Sequence, residues 1–149
     1  PKEQSDTITI MEKIGHFLDS EVSQIYDKLK DGGYTKEEMP PLIEDKLDIV
    51  KILKKSSKNW DGGYTIAGML GHGDSFILRD PSGIRPAYYM ENDEVVVVAS
   101  ERPAIQTVFN VSYQEIKEIP RGNALIINKK GKISLKEILV IYTYNYDKF

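Results

Sequence analysis

The stretch FILRDPSGIRPAYY, Phe76 to Tyr89, gathers the residues of this chain best suited to chemistry. Arg79 and Arg85 bracket Asp80, Pro81 and Gly83, and Pro86 follows directly. Two guanidinium groups so placed could grip a phosphate or carboxylate through bidentate forks. The same residues also suit a pure corner. Asp80 can accept a hydrogen bond from the backbone two residues on, Pro81 presets φ for a turn, and Gly83 permits φ above zero. Pro86 forces Arg85 into an extended conformation that launches a strand. The arginines could equally pair with Asp80 or with backbone carbonyls. Taken residue by residue, architecture is the favoured reading of this corner.

Other candidates are thinner. GHGDS, Gly71 to Ser75, is not a complete dinucleotide-binding glycine loop and no helix follows it, so it reads as a hairpin turn. His16 and His72 are the only histidines and lack companions at metal-ligand spacing, so no metal is expected. There is no Gly-x-Ser-x-Gly elbow. Ser5 or Asp6 reads as a helix cap, Ser100 as the cap of a shorter helix, and Trp60 as core or rim. No constellation makes an enzyme unaided, and no catalytic residue or cofactor is expected from these residues.

The chain has 149 residues, enough for one domain with a usable core, and a single domain over 1–149 is expected. With 40% apolar and 29% charged residues it reads as soluble and globular. A net charge of −3, with acids and bases interspersed, argues against nucleic acid or a membrane surface as partner. The absence of cysteine excludes disulfides, thiolate metal sites and a cysteine nucleophile within these residues, and fits a reducing, cytoplasmic setting. No apolar run reaches the length of a bilayer span. The chain begins with Pro1 and not Met, so it is expected to be a processed product or a piece of something longer.

Elements must hold these candidates in place. Residues 5–58 read as helical. Ile10, Met11, Ile14, Phe17 and Leu18 fall on one helical face, Val22, Ile25, Tyr26 and Leu29 continue it, and Asp31-Gly32-Gly33 stops it. A further helix restarts at Pro41 with the stripe Ile43, Leu47, Val50 and Leu53. Residues 62–137 read as strands. GYTIAGML and EVVVVAS look like strands covered on both faces, the latter central. SFILRD and PAYYM flank the corner, and ALIIN, KKGK and ISL form a hairpin. The tail 138–149 alternates like a strand. Helices first and strands afterwards predict an α+β fold with mostly antiparallel sheets.

At the strand-rich half a resemblance enters. GGYTIAGMLGHGDSFILRDPSGIRPAYY, then VVVVASERPAIQTVF, then EIPRGNALIIN, resemble the later portion of the glutaminase domain of amidophosphoribosyltransferases, class II glutamine amidotransferases of the N-terminal-nucleophile hydrolase type. Arg79 to Pro86 and Ala99-Ser100-Glu101 match the family pattern intact, whereas Pro120-Arg121-Gly122-Asn123 departs from its Pro-Gly-Glu. Asparagine synthetases share a looser version. The resemblance implies an αββα sandwich, here incomplete. It also implies, for a complete parent, glutamine-dependent amination of phosphoribosyl pyrophosphate in purine biosynthesis, with glutamine as the small-molecule substrate. The family's N-terminal cysteine, its Asn-Gly and its substrate-carboxylate Arg would fall before Pro1, so this chain alone is expected to be inactive. Ser5-Asp6-Thr7 resembles the family's Ser-Asp-Ser/Thr, where the aspartate binds the glutamine α-amine, with Ile8 in place of the usual Glu. The alternatives are a non-catalytic interaction domain on the same fold and part of an asparagine-synthetase-like protein. A sheet lacking its first strands exposes edges, so homo-oligomerisation through them is expected.

Overall fold

The computed structural model describes residues 5–140. By its internal packing the chain divides into two compact units, Pro1–Trp60 and Asp61–Phe149. The division falls where the apolar period changes from helical to strand-like.

In the first unit, helix α1 runs unbroken over Asp6–Asp31 and joins the two apolar patterns into one. It buries Ile25 and Leu29 against Met39, with Leu42, Ile43 and Leu47 packed beside them. Met11 was grouped with the buried face by its spacing, yet it is 67% exposed. The Gly32 N–H closes the helix on the Lys28 carbonyl at 3.0 Å, and Gly33 turns the chain away at φ 85°.

The helix expected to continue from Pro41 is in fact two, α2 at Met39–Lys46 and α3 at Ile49–Ser57. Leu47 is extended, and the Asp48 carboxylate accepts the Lys51 N–H at 3.0 Å. A capping aspartate starts a new helix whatever the apolar stripe suggests. The buried face of α3 is consequently Ile49, Ile52 and Leu53 rather than the Val50–Leu53 stripe. Ser56 and Ser57 are buried as well, and their hydroxyls donate to the Ile52 and Leu53 carbonyls at 2.7 and 2.6 Å. Lys51 reaches Glu21 of α1 at 2.6 Å, which gives that buried carboxylate its counter-charge.

The second unit contains strands β1 (Thr65–Met69), β2 (Ser75–Arg79), β3 (Tyr88–Glu91) and β4 (Val96–Ala99), then helix α4 (Arg102–Phe109). Strands β5 (Lys117–Glu118), β6 (Asn123–Ile127) and β7 (Ile133–Glu137) follow. They form two sheets, β1-β2-β6-β7 and β4-β3-β5, and every pairing is antiparallel. Ile77 of β2 and Leu125 of β6 share one core with Ala87, Tyr89 and Ile119, so the two sheets face each other. On the far side of the smaller sheet, Ile105 of α4 packs with Met90 and Ile116.

Two strand expectations need correction. β1 is an edge strand, not one covered on both faces: Thr65, Ala67 and Met69 are exposed while Ile66 and Gly68 are half-buried. Its small residues answer a close approach. A Cβ on Gly68 would lie 2.5 Å from the Phe76 ring. β4 is likewise an edge strand and not a central one. Its valine run nevertheless has both faces covered, because Val96 and Val98 meet the inter-sheet core while Val97 and Ala99 meet the α4 cluster. Face coverage and edge pairing are separate properties, and composition reports the first.

The hairpin of β6 and β7 forms as expected, pairing Asn123–Ile127 with Ile133–Glu137. The tail leaves it through Ile138 and Leu139, whose N–H groups both donate to the Gly122 carbonyl. The remainder of the aromatic tail lies outside the described residues.

Candidate functional site

The corner is built on the last residue of β2 and the first residues after it. Asp80 is fully buried. Its carboxylate accepts the N–H groups of Ile84 at 2.9 Å, Arg85 at 3.1 Å and, from the start of the neighbouring strand, Tyr64 at 3.2 Å. The Asx turn expected from the sequence is thus replaced by a wider cradle reaching four and five residues ahead. The Asp80 main chain is also spent: its N–H donates to Tyr64, and its carbonyl accepts from Gly83 and Gly122. Burial by itself would raise the Asp80 carboxyl, but the N–H groups of Ile84, Arg85, Tyr64 and Gly83 outweigh it and hold the group below the usual carboxylate range. Burial first, and the Asp80 charge second, push the Tyr64 phenol up to about 12.

Pro81 and Gly83 do the work expected of them. The Gly83 N–H closes the turn on the Asp80 carbonyl at 3.1 Å, with Gly83 at φ 67°. A Cβ there would lie 3.1 Å from the Arg121 side chain and 3.3 Å from Arg79 Nη2.

Arg79 is only 8% exposed. Its Nε donates to the Arg85 carbonyl at 2.8 Å and its Nη2 to the Gly83 carbonyl at 3.1 Å. Its Nη1 donates to both the Ile119 carbonyl and the Glu118 carboxylate at 2.7 Å. The fork that could have held an anion is occupied by the protein's own oxygens. Arg85 is exposed and contributes its backbone to the cradle. Glu118 was not singled out from the sequence. It lies 39 residues from Arg79, and no local spacing announces that pair.

Ser100 and Glu101 of the second signature line one shallow depression with Pro86, Tyr88, Arg102 and Pro103. Glu101, not Ser100, occupies the N-cap position of α4. The organising group here is Arg102, which sequence reading passed over. Its guanidinium stands 4.7 Å from the Tyr88 ring centre and 4.2 Å from that of Tyr113, and it donates to the Tyr113 and Ile116 carbonyls. Arg102 therefore pins α4, β3 and the 3-10 turn at Tyr113–Glu115 together.

Asp6 belongs to the helical unit, as the first residue of α1. Ser5 occupies the N-cap position, but its side chain makes no capping bond. Asp6 is exposed and has no hydrogen bond or ion pair among the described residues. A carboxylate in that first turn is favoured by the helix dipole and is open to an incoming ammonium. His72 stands 3.0 Å from Asp74, which also accepts the Lys129 N–H at 2.7 Å, so the GHGDS turn is tied to the β6–β7 turn. His16 packs edge-on against Phe17.

These antiparallel sheets and helices make the chain an α+β protein with the fold of the N-terminal-nucleophile amidotransferases. The likeness is direct to the Bacillus subtilis glutamine phosphoribosylpyrophosphate amidotransferase solved with ADP and GMP. Its TM-score is 0.54 at 22% identity, over 80% of this chain and 27% of that one. Among curated proteins, the chain is 32% identical to the amidophosphoribosyltransferase of Saccharomyces cerevisiae over 96 residues, 59% of this chain and 18% of the relative. It is 31% identical over 124 residues to a Methanothermobacter thermautotrophicus protein named for an inferred glutamine amidotransferase activity, 78% of this chain and 34% of that protein. No family model matches the chain. The chain is a partial relative of the amidophosphoribosyltransferases and glutamine amidotransferases, spanning about a third or less of the length of these curated relatives.

Proposed function

We propose that this chain is the later portion of a glutaminase domain in an amidophosphoribosyltransferase-like protein of purine biosynthesis. In it, Arg79 to Pro86 form a structural corner and Asp6 receives the α-amine of glutamine. The observation that carries the reading is the corner itself: the octapeptide is intact, and two of its three charged residues, Arg79 and Asp80, are committed to holding its backbone, with Arg79 also paired to Glu118. The curated relatives support the assignment of glutamine chemistry to the parent. Asp6 is exposed at a helix N-terminus and its carboxylate has no partner among the described residues, which is what an ammonium ligand requires.

These 149 residues contain no cysteine, so a thiolate nucleophile cannot come from them. Incubating the purified chain with L-glutamine should therefore give no glutamate above a blank; measurable release overturns this part of the reading. Calorimetric titration tests the other part. L-glutamine should bind weakly and D6N should lose that binding, whereas binding unchanged in D6N removes Asp6 from the site.

The lack of cysteine also favours a second reading, a non-catalytic interaction domain on the same fold. In either case β1 and β4 are edge strands with no further strand beside them among the described residues. Pairing of these edges between copies is the expected route to a homo-oligomer. Light scattering at high concentration checks it, and a clean monomer counts against it.

A further inference from the structure

The helical unit contains a cavity of about 470 Å³ that the glutamine reading does not use. It is lined by Thr9, Glu12, Lys13, His16 and Phe17 of α1 and by Lys55, Ser56, Lys58 and Asn59 at the end of α3. Asp6 is not among its walls. The volume lies within the range of small-molecule sites.

Three lysines and a histidine face one glutamate in a protein whose net charge is negative. None of the three ammonium groups has a carboxylate within ion-pair distance among the described residues, although Lys51, one turn before Lys55 on α3, is paired with Glu21. Lys55 lies in the last turn of α3, where the helix end already favours cations. The floor differs from the rim: Phe17 is half-buried, with the His16 ring edge-on against it, and Ser56 is buried with its hydroxyl spent on Ile52. A solvated basic face has no need of a concave, partly aromatic floor.

We propose that this cavity binds a small phosphomonoester carrying a planar ring, with Lys13, Lys55 and Lys58 facing the phosphate and Phe17 and His16 against the ring. Ammonium groups act as point charges toward phosphate, so a dianion gains more from three of them than a monocarboxylate does. The surface setting makes the interaction sensitive to salt.

Because the chain has only two histidines, proton NMR reads the site directly. His16 lines the cavity, and His72 lies on the β1–β2 turn of the other unit. The probe is phenyl phosphate, with inorganic phosphate and phenol as its two halves. The expected result is a saturable shift of the His16 ring resonances while those of His72 stay in place. Inorganic phosphate should act more weakly, and phenol should act hardly at all. The double variant K13E/K55E should weaken the effect roughly tenfold or more. The single variant K58A, which removes one charge without reversing any, should weaken it by a smaller factor and serves if the double variant misfolds. Equal shifts at both histidines, a shift reproduced by sodium chloride at matched ionic strength, or full retention in K58A would overturn the proposal. Asp6 stands outside the cavity. Failure here therefore leaves the glutamine reading intact, and loss of glutamine binding in D6N leaves this one intact.

Discussion

Two aspartates stand out in this chain, and the structure treats them oppositely. Asp80 is fully buried and accepts three backbone N–H groups, while Asp6 is exposed at the tip of α1 and accepts none among the described residues. A carboxylate that has spent both its oxygens on its own backbone holds a fold. One that has spent none can hold a ligand. The signature around Asp80 is the more specific in sequence, yet it is the weaker candidate for chemistry. Strong local specification and ligand binding draw on the same hydrogen-bonding groups, and at this corner the fold has used them.

The comparison breaks most readily at Asp80. Replacement by alanine strands three buried N–H donors, each worth about 1–3 kcal/mol when left unpaired. A loss on the order of 4 kcal/mol is expected in urea denaturation followed by circular dichroism. A loss below about 1 kcal/mol would show that the cradle is not holding the corner. R79K comes next, at about 2–3 kcal/mol. An ammonium cannot reproduce a fork that donates to three carbonyls and Glu118 at once.

Acid should single out the same residue. The folded Asp80 carboxyl titrates below its ordinary value, so the unfolded chain binds its proton first as pH falls. The stability this adds is therefore present above the unfolded value near 3.8 and lost as pH drops through the folded one. D80N should be destabilised at neutral pH and show a flatter acid limb below about pH 4. An acid limb as steep as that of the unmodified chain would assign the titration elsewhere.

Two glycines of the β6–β7 hairpin, Gly122 just before β6 and Gly131 in the turn, offer a finer contrast. Gly122 and Gly131 have similar positive φ, 70° and 81°, but a Cβ on Gly122 would run into the Leu139 carbonyl while one on Gly131 meets nothing within 4 Å. G131A should cost about 1 kcal/mol for backbone strain alone, and G122A should cost clearly more. Equal losses would mean that the exit of the chain through Leu139 yields easily.

What could be read in advance followed a physical rule. Elements set by local periodicity were legible: α1, the β6–β7 hairpin, and β2 and β3 on either side of the corner. Local turn chemistry at Pro81 and Gly83 was legible too, because each residue acts on its own φ. The break at Leu47-Asp48 was missed because a capping aspartate and a solvent-facing one look alike inside an apolar stripe. The edge positions of β1 and β4 were missed because sheet order is a long-range property. The same is true of Glu118 and of Arg102 between two tyrosine rings: their partners are distant in sequence, and residue type alone does not name them.

The smallest stability effect is the one that tests the comparison from its other side. Asp6 donates nothing to the described fold except a favourable position in the first turn of α1. That electrostatic contribution is typically about 0.3–1 kcal/mol, screened by salt. D6N keeps the shape of the side chain and removes the charge, so its urea midpoint should move by less than D80N's by a wide margin, and the shift should shrink further in high salt. Glutamine binding should respond in the reverse order. D6N removes the charge that an α-ammonium would seek, whereas D80N, where it remains folded, leaves that charge in place. If D6N destabilises the chain as much as D80N does, Asp6 is a structural residue and has no capacity left for a ligand.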